Sequence, residues 1–138
     1  MDSSENIYPE DYTLIPEQDR VQLPPIGAQQ NSRDPMVHTK LFCPWGAATW
    51  WITEYDGKDL LFGFAFLFDE YSAELGYMSK EDLESITMAG LRIERDVNFE
   101  PKRLSEALRD HGLNRSADSF APKLPDPLSG STEGDDND

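Results

Sequence analysis

Between Met36 and Phe68 the chain runs MVHTKLFCPWGAATWWITEYDGKDLLFGFAFLF, and this block holds nearly all the material from which a core can be built. All three tryptophans, five of the seven phenylalanines and the single cysteine lie inside it. The residues before Tyr8 and after Phe120 hold little that would fold. A chain of 138 residues has room for one domain with a modest core and is too short to expect two. The expected organisation is a disordered acidic segment over residues 1–11, a single domain over 12–115 and a disordered acidic tail over 116–138. The expected fold class is α+β, a mainly antiparallel sheet of about five strands with two or three short helices.

Val37, Leu41 and Cys43 alternate with His38, Lys40 and Phe42, which predicts a strand over 36–43 with one apolar and one mixed face, ended by Pro44-Trp45-Gly46. A second strand, rich in Thr and Trp, is expected over 47–54. Asp56-Gly57 then returns the chain as an antiparallel hairpin into a third strand over 60–68. That strand is apolar on both sides, the pattern of a central strand covered on two faces. A turn over 69–72 leads to a fourth strand over 74–78. Ser79 is expected to cap a helix over 80–87, with Asp82 three places on and Met78 set to pack against Leu83. A fifth strand over 91–99 and a last helix from Pro101, carrying Leu104, Ala107 and Leu108 and closed by Gly112, complete the domain. Ahead of the block, Leu14 to Leu23 reads as a short helix with Pro16 at its first position and Pro24-Pro25 as its stop, packing Leu14, Ile15, Val21 and Leu23 onto the sheet. Residues 27–35 have no periodicity and read as a loop.

The formal charge of −15 argues against a protein that holds nucleic acid directly by neutralising phosphates. Six acids and no base lie in residues 1–19, and six acids stand against Lys123 in residues 116–138, so eleven of the fifteen net charges sit at the ends. The lone Cys43 offers neither an intramolecular disulfide nor a Cys-rich metal site, which fits a reducing cytoplasm. The acidic N-terminus lacks the pattern of a signal peptide, and the longest apolar run, Leu60 to Phe68, has nine residues where a membrane helix needs about 20. A cytoplasmic protein with no membrane attachment is expected, and no motif implies a cofactor or a resident metal.

Among charged residues, Glu54, Glu74 and Arg95 form the constellation to test. Strand alternation places Arg95 with Leu91, Ile93, Val97 and Phe99 on an apolar face, where a guanidinium needs a carboxylate, and Glu54, on the side of Trp50 and Ile52, and Glu74 are the candidates. Such a trio is either a structural ion pair or a carboxylate acid–base with an anion clamp. Glu94 and Asp96 flank Arg95 and point together to the opposite face, about 7 Å apart, as a solvated edge or a weak metal pair. His38 and Cys43 fall on opposite faces of one strand and so make no nucleophile–base pair, and His111 reads as a cationic partner for a helix C-terminus. Trp50 and Trp51 must face opposite sides of their strand, one in the core and the other half-exposed or under the N-terminal segment. Trp45, Trp50, Trp51, Tyr55 and Tyr77 are therefore the aromatic candidates for a protein interface.

The blocks Asp34-Pro35-Met36-Val37-His38-Thr39-Lys40-Leu41-Phe42-Cys43-Pro44, Thr49-Trp50-Trp51-Ile52-Thr53-Glu54, Phe62-Gly63, Glu74-Leu75-Gly76-Tyr77 and Gly90-Leu91-Arg92-Ile93-Glu94-Arg95-Asp96 resemble, in order and spacing over residues 12–108, the domain-of-unknown-function family numbered 2958. The resemblance implies a small bacterial protein of the kind common on plasmids, conjugative elements and phages, and supplies no activity. The chain departs from the usual pattern in its longer acidic N-terminus, in Cys43 where Thr is commoner, and in its acidic tail. Three readings follow. The first is a non-enzymatic protein that binds a protein partner, in one form an acidic mimic of DNA acting on a basic DNA-binding or defence protein. The second is a hydrolase-type enzyme using Glu54, Glu74 and Arg95. The third is an accessory nucleic-acid-associated protein of plasmid maintenance or transfer, which needs Arg92, Lys102, Arg103 and Arg109 in one basic stripe.

Overall fold

The centre of the molecule is the hairpin that Asp56-Gly57 announces. The computed structural model describes residues 7–68 and 73–113, and the turn expected over 69–72 and the tail over 116–138 lie outside them. Strand β3 (Thr49–Tyr55) turns back into β4 (Leu60–Phe66), with Gly57 at a φ of 85° and the Asp56 carboxylate accepting from the amides of Lys58, Asp59 and Leu60 at 2.8, 2.8 and 3.0 Å. Around this hairpin the antiparallel sheet is completed by β2 (Thr39–Phe42) and β8 (Glu94–Arg95) on one side and β5 (Glu74–Ser79) on the other, in the order β5-β4-β3-β2-β8. With three helices added, the fold is α+β, as the sequence predicts.

Both hairpin strands are covered on two faces, β4 at Leu61 on one and Phe64 on the other, and β3 is the more completely buried. Every residue of β3 is buried, whereas Leu60 at the start of β4 is exposed and Leu67 and Phe68 lie past its end. Position in the sheet explains the difference: β3 has two strands on each side and receives packing from above and below. Leu14, Ile15, Leu23, Leu41, Trp50, Ile52, Leu61, Leu83 and Ile93 form one buried cluster. Val37, Trp51, Phe64, Leu104, Ala107 and Leu108 form the other. Both neighbouring tryptophans are therefore buried, Trp51 against Leu104, Ala107 and Leu108 and Trp50 under the N-terminal segment with Leu14, Ile15 and Leu23, so of the two expected placements for the second tryptophan the covered one holds.

Several elements are shorter than their periodicity suggests. Helix α1 is a single turn, Glu17–Arg20, with Pro16 as its N-cap, so Leu14, Ile15 and Leu23 are buried but Val21 stays 65% exposed. The strand expected over 36–43 changes partner at His38: β1 (Met36–Val37) pairs with β9 (Lys102–Arg103), and β2 joins the main sheet. Helix α2 (Lys80–Glu84) is capped by the Ser79 hydroxyl, which accepts from the Asp82 amide at 3.1 Å, but it ends before Thr87. Thr87 and Met88 instead form β6, which turns through Ala89 and Gly90, both at positive φ, into β7 (Leu91–Arg92). The strand expected over 91–99 is thus two short pieces separated by the buried Ile93, and Asp96 ends the second by accepting from the Asn98 amide.

Helix α3 (Leu104–Asp110) is anchored at both ends. Asp34 accepts from the Ser105 amide and hydroxyl at 2.9 and 2.7 Å, a cap supplied from a distant loop. At the other end Gly112, at a φ of 89°, donates to Arg109 while Leu113 donates to Leu108, the Schellman arrangement that a glycine there favours.

Candidate functional site

Strand order decides the fate of the Glu54, Glu74 and Arg95 constellation. Glu74 begins β5 at one end of the sheet and Arg95 ends β8 at the other, so the sheet separates them. Arg95 pairs with Asp19 of α1 at 3.5 Å, and Asp19 also accepts from the Thr39 hydroxyl at 2.7 Å. Glu54 sits past a β-bulge between Ile52 and Glu54, which places Trp51 opposite Phe64 and Glu54 opposite Phe62 on one side of the sheet. The bulge thus moves Glu54 off the side of Trp50 and Ile52. Its buried carboxylate accepts from the amides of Gly27 and Gln29 at 2.8 and 2.6 Å and holds the 27–35 loop, assisted by Gln29, whose side chain bonds to Met36 and Thr53. Of the three charged groups expected at one site, Glu54 and Arg95 serve two separate structural tasks, and Glu74 stands exposed on the far edge strand.

Glu94 and Asp96 also part company. Glu94 accepts from the Tyr8 hydroxyl at 2.7 Å, and Asp96 lies 3.9 Å from the Lys40 ammonium. Around Glu94 the structure assembles a group that sequence reading passes over. Tyr12 donates to the Ile93 carbonyl at 2.6 Å, the Arg92 amide donates to Tyr8, and the Arg92 guanidinium stands 4.8 Å from the centre of the Tyr12 ring. Burial raises the Tyr12 phenol to about 12, with the charge of Glu94 adding to the rise, so it stays a donor. The signal available in the sequence is the i, i+4 pair Tyr8 and Tyr12 inside an otherwise acidic lead. An open cleft of about 610 Å³ runs along this segment, lined by residues that include Tyr8, Asp11, Glu17, Glu94 and Arg95. No group of three or more His, Cys, Asp or Glu side chains suited to a metal occurs among the described residues.

A second cleft, of about 530 Å³, lies beside the end of α3 and is lined by residues that include Lys40, Phe42, Cys43, Thr49, Asp96 and His111. The His111 ring packs against Trp51 and Phe66 with centroids 5.1 and 6.1 Å away. Burial first, and then the Lys40 charge, lower its pKa, so the neutral imidazole predominates at neutral pH and the helix end gains no cation from it. Of the basic stripe, Arg92 donates to the Glu84 carbonyl, and at the surface Lys102 donates to the Asp110 carboxylate and Arg103 to the Asp34 carbonyl.

Of the aromatic candidates, Trp50, Trp51 and Tyr55 are buried, and Trp45 is half-buried against the first cluster. Tyr77 is different. It is 57% exposed on β5, stands opposite Phe62 and packs against it at 4.9 Å between ring centres. By strand alternation Leu60, Phe62 and Tyr77 continue the side of the sheet that α3 covers at Trp51 and Phe64. Among the described residues β5 has no partner on its outer edge.

No helix among the described residues is long and apolar enough to cross a membrane. No curated protein and no solved structure matches the chain. A family model, described as "Protein of unknown function (DUF2958)", matches residues 14–111, from the buried Leu14 to the His111 that ends α3, and the chain belongs to that family.

Proposed function

We propose that this is a non-enzymatic protein-interaction domain of a bacterial mobile element, binding a protein of basic surface through the exposed side of β4 and β5. The observation that carries the reading is the contrast between Tyr77, exposed beside Phe62 and Leu60 at a sheet edge unpaired among the described residues, and the polar candidates Glu54, Glu94 and Arg95, which are committed to internal bonds. The formal charge of −15 supports a basic rim on the partner, which steers encounter without supplying the core of the contact. The form in which the protein mimics DNA draws less support, because Asp19, Asp34, Glu54 and Glu94 accept hydrogen bonds from within the fold instead of forming an outward row. The mobile-element setting rests on the family resemblance alone. The test is affinity capture from a bacterial lysate with the full chain and with Tyr77→Ser, at low and moderate salt. A partner retained by Val21→Ser but weakened roughly tenfold or more by Tyr77→Ser agrees with an interface centred there. Equal capture by both variants removes the reading.

A further inference from the structure

We propose that residues 120–128 of this chain, Phe-Ala-Pro-Lys-Leu-Pro-Asp-Pro-Leu, dock on the exposed apolar side of β4 and β5 and cover Phe62 and Tyr77. The surface is a stripe in which Leu60 and Tyr77 are exposed and Phe62, Phe66 and Leu75 are half-buried. Helix α3 covers its inner border at Trp51 and Phe64 and leaves the rest open.

The point where the described chain ends selects the occupant. Leu113 is buried in the cluster of Trp51, Phe64 and Ala73, with Phe66 and Leu75 packed against it. The chain therefore leaves α3 on this side of the sheet, near the start of β5. From Leu75 to Ser79, which stands opposite Leu60, β5 advances roughly 13 Å. The seven residues from Leu113 to Phe120 reach as far as about 24 Å when extended. The whole stripe is within reach of Phe120 and the residues that follow.

Composition points to the same segment. Of the 25 residues after Leu113, the large apolar side chains are Phe120, Leu124 and Leu128, spaced four apart, while Glu133, Asp135, Asp136 and Asp138 lie beyond them. Pro122, Pro125 and Pro127 restrict the backbone to extended conformations, which lowers the ordering entropy of docking. Their missing N–H groups prevent a regular added strand, so the contact is made by side chains set into the stripe. Tethering supplies an effective concentration on the order of mM, enough for contacts too weak to hold a free peptide.

A partner on this surface must then displace 120–128. That regulatory consequence rests on the function proposed above, whereas the docking does not. The test is NMR of the labelled full chain against the Phe120→Ser/Leu124→Ser variant. The expected result is a shift of the Leu60, Phe62, Leu75 and Tyr77 resonances, together with their broadening by a nitroxide on Asp126→Cys in a chain carrying Cys43→Ala. Shifts confined to the neighbours of residues 120 and 124, with no broadening at Tyr77, overturn the proposal. Resonances of Phe62 and Tyr77 that move with protein concentration and ignore the tail substitutions assign the surface to a second copy and overturn it too. Capture experiments are scored apart: loss of the partner reading with docking intact removes the function alone.

Discussion

The two ends of the sheet are finished in opposite ways. At the β8 end the terminal strand is two residues long, and Tyr8, Tyr12 and Asp19 from the N-terminal segment bond to Glu94, Ile93 and Arg95. At the β5 end the terminal strand has six residues, contains no Lys or Pro, and exposes Tyr77. Its one charge is Glu74 at its first residue, and a long edge that is unpaired among the described residues and carries no charge or proline from Leu75 to Ser79 is an invitation to pairing that proteins ordinarily suppress. The contrast teaches that one end is sealed by polar bonds from the N-terminal segment, while the other presents an apolar side that the described residues leave exposed at Tyr77.

The sharpest way to break both ends at once is to spoil the hairpin from which they hang. A Cβ at Gly63 would stand 2.1 Å from the Trp51 carbonyl, so Gly63→Ala is expected to cost roughly 4 kcal/mol in urea unfolding. Next, Tyr12→Ala removes a ring stacked by Arg92 and a bond to Ile93, and about 3 kcal/mol of stability should go with it. Tyr77→Ala, an aromatic change at the β5 end, should cost about 1 kcal/mol or less, since the exposed ring packs on Phe62 alone among the described aromatic rings. Equal losses for Tyr12 and Tyr77 in the same titration would erase the comparison.

The smallest effect is the acid dependence of the hairpin and of α2. Asp56, held by the Lys58 and Asp59 amides, and Asp59, held by the Glu81 amide and the Ser79 hydroxyl, titrate below the ordinary aspartate range. A carboxyl whose folded pKa is depressed adds stability above its unfolded value and loses it as pH falls through the folded one. The urea midpoint should therefore be unaffected by these groups from neutral pH down to about 4 and decline below that. Asp59→Asn should flatten part of the decline, and a parallel decline in the variant would assign it elsewhere.

What was legible came from local signals. Asp56-Gly57, the Ser79 cap and the Gly112 terminus act through their own backbones within a few residues, and each stands where the sequence predicts it. The breaks were not legible, because they answer to distant partners. His38 divides a strand whose halves pair with β9 and β3, and Ile93 divides another because the core takes its side chain. The bulge past Ile52 changes the side on which Glu54 stands, so alternation assigned it to the wrong cluster of neighbours.

The aromatic block thus determined by itself that this chain builds one antiparallel hairpin core, since nothing else in it can bury comparable apolar area. Which strand lies at the centre, which carboxylate meets which amide, and which aromatic remains outside were decided only in three dimensions. Those choices depend on strand order and on the segments that cover each face, and a periodic pattern records which sides are apolar but not what comes to cover them.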